Sequence, residues 1–151
     1  MTVKPIPDGY HAITPNLTVE RGLEALDYYQ RAFGAQVVRK LVLDGKLMHS
    51  ELRIGDSLFS VAEAFPGSVA PDPDAPVPAS LLLYTPDVDA AYARAIEAGA
   101  TAVNEPSDQF HGDRAGSLRD PFGHRWMLAT HTEDMSDEEM QRRMEEVMAG
   151  S

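Results

Sequence analysis

Two stretches of this chain repeat one order of elements, and that repeat restricts the possible folds more than any other feature. Strand-type patterning runs from His11 to Val19, where β-branched and apolar residues are bounded by Pro5, Pro7 and Gly9 on one side and Gly22 on the other. From Glu20 to Phe33, Leu23, Leu26, Tyr29 and Phe33 recur at near-helical spacing, and Gly34 sits where a C-terminal cap belongs. Three strands follow over 35–43, 46–54 and 57–65, broken by turns at Asp44-Gly45 and Gly55-Asp56. The same order returns over 79–85 (strand), 87–98 (helix), 100–104, 114–119 and 124–131 (strands), with Asp87 or Asp89 as N-cap and Gly99 as the helix stop. Gly34-Ala35 superposes on Gly99-Ala100 at an offset of 65 residues, and Gly55 on Gly123 at 68. An internal duplication explains both offsets. It predicts an α+β fold of two βαβββ modules within one domain over residues 1–151.

The first module spans 5–65 and the second 79–131. Between them, residues 66–78 hold five prolines and Gly67, a composition that resists both helix and central strand and reads as a linker. Residues 132–151 form an acidic C-terminal segment with a helix over 136–148. Its start, Ser136-Asp137-Glu138-Glu139, has the form of a capping box. Met140, Met144, Val147 and Met148 make an apolar stripe expected to pack on the body of the protein or on a second subunit.

The chain has no cysteine, which removes disulfides, thiolate metal sites and cysteine nucleophiles. Acidic residues outnumber basic ones 24 to 13, so clustered phosphate contacts, and with them nucleic acid, are not expected. Apolar runs such as Leu81-Leu82-Leu83-Tyr84 are too short to span a bilayer, and the N-terminus has no secretory pattern. No membrane partner is expected, and the expected location is cytoplasmic. Dinucleotide fingerprints, phosphate loops, nucleophile elbows and His-Glu-x-x-His are all missing.

Ile6-Pro7-Asp8-Gly9-Tyr10-His11, Ala25-Leu26-Asp27-Tyr28-Tyr29 with Ala32-Phe33-Gly34-Ala35, and Met48-His49-Ser50-Glu51-Leu52 with Ile54-Gly55-Asp56-Ser57 occur in sequence order. Phe110-His111-Gly112-Asp113-Arg114 and Asp120-Pro121-Phe122-Gly123-His124-Arg125-Trp126 complete the series. With two βαβββ modules, this set resembles the vicinal oxygen chelate superfamily, and within it the PhnB-like glyoxalase/bleomycin resistance group. The resemblance runs from about residue 5 to residue 131.

In metalloenzymes of that superfamily, four ligands from the first, fourth, fifth and eighth strands face a cavity in the curved sheet. Carried across by register, the resemblance places those positions near Thr14, Glu63, Ser80 and Met127. Only Glu63 suits a hard divalent cation, because methionine is a soft ligand and serine a poor one. The resemblance therefore implies a small-molecule-binding protein with curved mixed sheets, no metal and no cofactor, assembled as a homodimer whose pockets lie in the concave sheets and at the subunit interface. Its ligand is expected to be cationic or amphipathic, such as an antibiotic held by sequestration. Thr14, Asn16, His49, Glu51, Glu63, Ser80, Leu82, Arg114 and Met127 are the expected ligand-binding residues, with Arg114 either clamping an anionic group or bracing its loop with Asp113.

An enzyme remains the alternative. It takes the form of a lyase or isomerase using a divalent metal on ligands drawn from His11, His49, Glu51, Glu63 and His124, or of a metal-free acid-base catalyst using His49 and Glu51. Period-two alternation puts His49, Glu51 and Arg53 on one strand face. There an imidazole and a carboxylate can act as base and orienting partner. Trp126 is expected in the core, and His124 at its turn.

Overall fold

The computed structural model describes residues 2–150. The first module contains β1 (Asn16–Val19), α1 (Gly22–Phe33), β2 (Gln36–Leu43), β3 (Lys46–Ile54) and β4 (Ser57–Glu63). The second contains β5 (Ser80–Tyr84), α2 (Val88–Ala98), β6 (Thr101–Asp108), β7 (Asp113–Arg119) and β8 (Arg125–His131), and α3 (Asp137–Ala149) follows. The sheets have strand orders β1-β4-β3-β2 and β5-β8-β7-β6, with the outer pairs β1–β4 and β5–β8 parallel. The duplication holds strand for strand.

Boundaries shift for local reasons. β1 is short because Pro15, which lacks a donor N–H, precedes its first residue, and Ile13 stays 89% exposed outside the ladder. β6 runs past the expected Asn104 to Asp108 in spite of Pro106, because it is an edge strand with register shifts, where proline is tolerated. Its partner carries Gly116 at that place, and a Cβ there would come within 2.8 Å of the Pro106 nitrogen. Asp87, not Asp89, caps α2, its carboxylate accepting from the Ala90 N–H at 3.1 Å.

One apolar core serves both modules. Each helix lies on the inner face of its sheet, and the core runs from Leu17, Val19 and Leu52 through Tyr28 and Tyr29 to Phe122, Trp126 and Leu128. Trp126 is buried as expected. Tyr29 is the centre of an aromatic cluster, 5.8 Å from Phe59 of the first module and 5.7 Å from Trp126 of the second. Polar ties also cross between modules: Tyr28 Oη donates to the Ala95 carbonyl at 3.3 Å, and Arg94 Nε to the Arg31 carbonyl at 2.6 Å. His124 is not a purely local turn residue, since its Nε2 lies 2.8 Å from the Thr18 carbonyl of β1.

The outer faces of both sheets have no helix on them. Leu82 is 51% exposed, Tyr84 54% and Met127 36%. In α3, Ser136 caps the helix by accepting from the Glu139 N–H at 3.2 Å. The reciprocal half of the capping box does not form, because the Glu139 carboxylate binds Arg142 and Arg143. No residue of α3 is fully buried: Met140 and Met144 are half-buried, and Val147 and Met148 are exposed.

Candidate ligand site on the open sheet faces

Cross-strand pairing makes the two open faces equivalent. In the first sheet, Asn16 of β1, Ser60 of β4, Glu51 of β3 and Arg39 of β2 form one row; in the second, Leu82, Met127, Ser117 and Asn104 form the matching row. Residues between them, such as Leu17, Leu52, Phe59, Leu118, Trp126 and Leu128, point into the core. The first row is hydrogen-bonded and charged: Ser60 Oγ donates to Asn16 Oδ1 at 2.5 Å and Arg39 Nε to Glu51 Oε2 at 3.0 Å. The Tyr10 hydroxyl donates to Glu51 Oε1, and burial first, then this carboxylate, raises the phenol's pKa. His49 shares this face, with Nε2 3.8 Å from Glu51 Oε2. The second row is mostly apolar, with Asn104 Nδ2 donating to Ser117 Oγ at 3.0 Å.

Two expected site residues face elsewhere. Glu63 has the parity of Phe59 and Val61, so it turns toward α1, where its Oε2 accepts from the Leu47 N–H at 2.5 Å. Adjacent strand residues face opposite ways, and an odd-residue error in placing the fourth strand accounts for the difference. The residue equivalent to Met127 is Ser60, because each pairs with its outer strand at the same row. Arg114 also lies on the helix side, where it forms a bidentate pair with Asp89 of α2 at 2.9 and 3.0 Å and lowers that carboxylate's pKa. It braces β7 against α2 through Asp89, where the expected brace was to Asp113. Asn16, His49, Glu51, Ser80, Leu82 and Met127 lie on the open faces, while Thr14, just before β1, donates to the His11 carbonyl at 3.3 Å.

The four positions implied by the family resemblance are thus Thr14, Ser60, Ser80 and Met127, a set with no carboxylate, imidazole or thiolate. Hard divalent cations need such donors, and these residues do not fit one. Among the described residues, no group of three or more His, Asp or Glu is arranged to hold a metal.

At the far end of the second face stands a network that spacing alone did not reveal. Asp113, at the start of β7, accepts from Tyr84 Oη at 2.8 Å and contacts His131 Nδ1 at 2.8 Å, with His111 Nδ1 3.7 Å away. His131 Nε2 in turn meets Asp134 Oδ1 at 2.7 Å. Burial works to raise the Asp113 pKa, but the hydrogen bonds from His131 and Tyr84 outweigh it and the net shift is downward. The His131 pKa is raised, first by Asp113 and then by Asp134. The only signal in the sequence was parity: Asp113 and His131 share the face of Met127, and they are direct partners in the β7–β8 register.

These opposite shifts set a pH window. The raised histidine stabilises the fold fully below its ordinary pKa of 6.5, and that contribution is lost as pH rises through its higher folded value. The depressed aspartate contributes above its ordinary 3.8 and loses that contribution as pH falls through its folded value. Melting temperatures measured from about pH 6 to about pH 8.5 are expected to fall more steeply for the native chain than for His131→Gln. Parallel slopes would show that the contact does not titrate with folding.

Two cavities adjoin the paired Leu82–Met127 row. One, of about 320 Å³, lies over the second sheet and is lined by Asn104, Gln109, His111, Ser117, Arg125 and Met127 among others. The other, of about 270 Å³, is apolar and lies between the modules, against Ile13, Leu58, Phe59, Leu81, Leu82 and Trp126. Polar and apolar space therefore meet along β5 and β8.

Residues 11–128 match the Glyoxalase/Bleomycin resistance protein/Dioxygenase superfamily, and the chain belongs to it. An uncharacterized protein of Mycobacterium bovis is 37% identical over 139 residues, covering 88% of this chain and 91% of its own length. Among solved structures, TioX from Micromonospora sp. ML1 superposes with a TM-score of 0.65 at 24% identity, covering 80% of this chain and 98% of its own. A PhnB protein from Bacillus cereus, described as a putative 3-demethylubiquinone-9 3-methyltransferase, gives 0.62 at 17% identity, covering 80% and 99%. At such identities the two structures show the shared fold. No helix among the described residues is long and apolar enough to cross a membrane.

Proposed function

We propose that this chain is a metal-independent small-molecule-binding protein of the glyoxalase/bleomycin resistance type, taking an amphipathic compound on the open sheet faces. The observation that carries this reading is the donor set: Thr14, Ser60, Ser80 and Met127 supply no ligand for a hard cation at the superfamily's four positions. Adjacent polar and apolar cavities favour a ligand with one polar and one apolar part. Sequestration of such a compound, an antibiotic among the candidates, needs no catalytic group. The acidic lining expected for a cationic ligand is weaker than the sequence implied, because Glu63 faces α1 and Glu51 is neutralised by Arg39.

The exposed Leu82, Tyr84 and Met127 support the homodimer as the state in which these faces are covered, since contiguous apolar patches of this kind mark interaction surfaces. Native mass spectrometry of protein purified without chelator tests both statements together. The expected spectrum is a dimer with no stoichiometric metal. Zinc, nickel, manganese or iron at one per chain, lost in His49→Ala or Glu51→Ala, would replace this reading with the metal-dependent lyase or isomerase.

The metal-free acid-base alternative draws on one observation, the shared face of His49 and Glu51. Glu51 is already held by Tyr10 and Arg39, and its 3.8 Å separation from His49 is outside hydrogen-bond range.

A further inference from the structure

We propose that the cavity over the second sheet recognises a small organic anion, with Arg125 as its anchor. This rests on the reading of the open faces as a ligand site and adds the charge of what they take. The chain has formal charge −11, and its arginines are correspondingly well supplied with acids: Arg21, Arg31, Arg39, Arg114, Arg142 and Arg143 each pair with a carboxylate. Among the described residues no carboxylate pairs with Arg125, although it is half-buried and lines the cavity. A guanidinium withdrawn from water without an anion is unfavourable.

The neighbourhood makes the imbalance larger. Arg125 stands directly opposite Arg119 across the β7–β8 ladder. Arg119 is held by the carbonyls of Gly123, Pro73 and Asp72 at 2.9, 3.2 and 2.7 Å, which orient its positive charge and leave it uncancelled. Like charges facing each other across a sheet repel. An anion bound at Arg125 relieves that repulsion, and a cation would add to it.

The rest of the lining agrees with this sign. No carboxylate lines the cavity, whose polar groups are the amides and hydroxyls of Asn104, Gln109, Ser107 and Ser117 and the imidazole of His111. His111 Nδ1 faces Asp113, which leaves Nε2 for a ligand oxygen. Met127 and Ala115 supply an apolar floor. The chemistry recognised is an oxyanion, such as a carboxylate that a guanidinium can bind bidentately, on a compact apolar body.

Calorimetric titration with benzoate, benzamide and benzamidine, in a buffer free of phosphate and sulfate, compares anion, neutral and cation on one ring. Saturable benzoate binding is expected to be tightest of the three, and weakened about tenfold or more by Arg125→Met. Arg125→Lys, which keeps the charge and loses the fork, should fall between, and Arg31→Met on the exposed side of α1 should match the native chain. Without ligand, Arg125→Met should melt no lower than the native chain, because it removes an unpaired charge. Absence of saturable benzoate binding, benzamidine binding as tight, or benzoate binding unaffected by Arg125→Met would each overturn the proposal. Benzamide or benzamidine bound in place of benzoate would leave the ligand-binding function standing and remove only its anionic form, whereas metal uptake in the mass spectrum would remove the function by a separate readout.

Discussion

Asp120→Ala is expected to destabilise the fold by about 3–5 kcal/mol, a large part of the roughly 5–15 kcal/mol that holds a domain of this size. Asp120 is 4% exposed, and its carboxylate accepts four hydrogen bonds. Tyr29 Oη donates at 2.6 Å, Trp126 Nε1 at 2.9 Å, and the backbone N–H groups of Phe122 and His124 at 2.9 and 3.0 Å. The two backbone bonds shape the turn, while the two side-chain bonds join α1 of the first module to β8 of the second. Alanine would leave a buried phenol, a buried indole N–H and two amides without their acceptor. Burial, and after it the Asp120 charge, already pushes the Tyr29 pKa well above its ordinary value, so that phenol stays a neutral donor. Tyr29→Phe removes one donor of the four and is expected to cost less, about 1–2 kcal/mol. Urea denaturation of both variants measures the difference. A loss below about 1 kcal/mol for Asp120→Ala would show that the network is not what joins the modules.

That network also shows what the sequence could reveal and where it stopped. The Asp120-Pro121-Phe122-Gly123 turn was legible as a family signature because glycine and proline act locally, and Gly123 does adopt a positive φ of 95°. The carboxylate's role was not legible, since Tyr29 lies 91 residues away and only packing brings it near. Helices and strand order followed from periodicity and from the offset of the repeat. Parity within a strand was legible for His49 and Glu51 on β3, where Ser50 and Leu52 are fully buried on the other face. It failed for Glu63, although the repeat held the correction: Trp126 matches Phe59, so the residue after each, Met127 and Ser60, must share a face. Asp113, His131 and Arg125 were hidden for another reason. Their significance lies in partners, or in the lack of one, and spacing carries no record of either.

The inward turn of Glu63 and the lack of a carboxylate on Arg125 among the described residues change the expected ligand in the same direction. Net charge is a property of the whole surface, and it acts at long range on approach rather than on what a cavity accepts. Acidic residues here are concentrated on α3 and its approach, where Glu133, Glu139 and Glu146 bind Arg142 and Arg143. The cavity over the second sheet has the opposite balance, with Arg125 and His111 and no acid in its lining. Local composition of the site therefore outranks the total of the chain.

Gly22→Ala is expected to destabilise by about 3 kcal/mol, against the sign that helix propensity alone would assign. Alanine is favoured over glycine within a helix by up to about 1 kcal/mol, and Gly22 opens α1 without a left-handed backbone that would demand glycine. Space decides the sign. A Cβ on residue 22 would lie 2.4 Å from Leu47 Cβ, 2.9 Å from Leu47 Cδ2 and 3.0 Å from Glu63 Cγ. Leu47 is fully buried, and its backbone N–H is fixed by the Glu63 carboxylate, so β3 cannot retreat without breaking that bond. The clash with Cβ also defines a stringent second variant. Leu47→Ala trims the Cδ2 contact and retains Cβ, so the Gly22→Ala/Leu47→Ala double variant is expected to recover little of the loss while adding the cavity cost of a buried leucine, about 2–5 kcal/mol. Denaturant midpoints for the three proteins separate the cases. If Gly22→Ala stabilised the chain, α1 would not sit against β3 at the closeness described, and the inward turn of Glu63 would lose its support along with it.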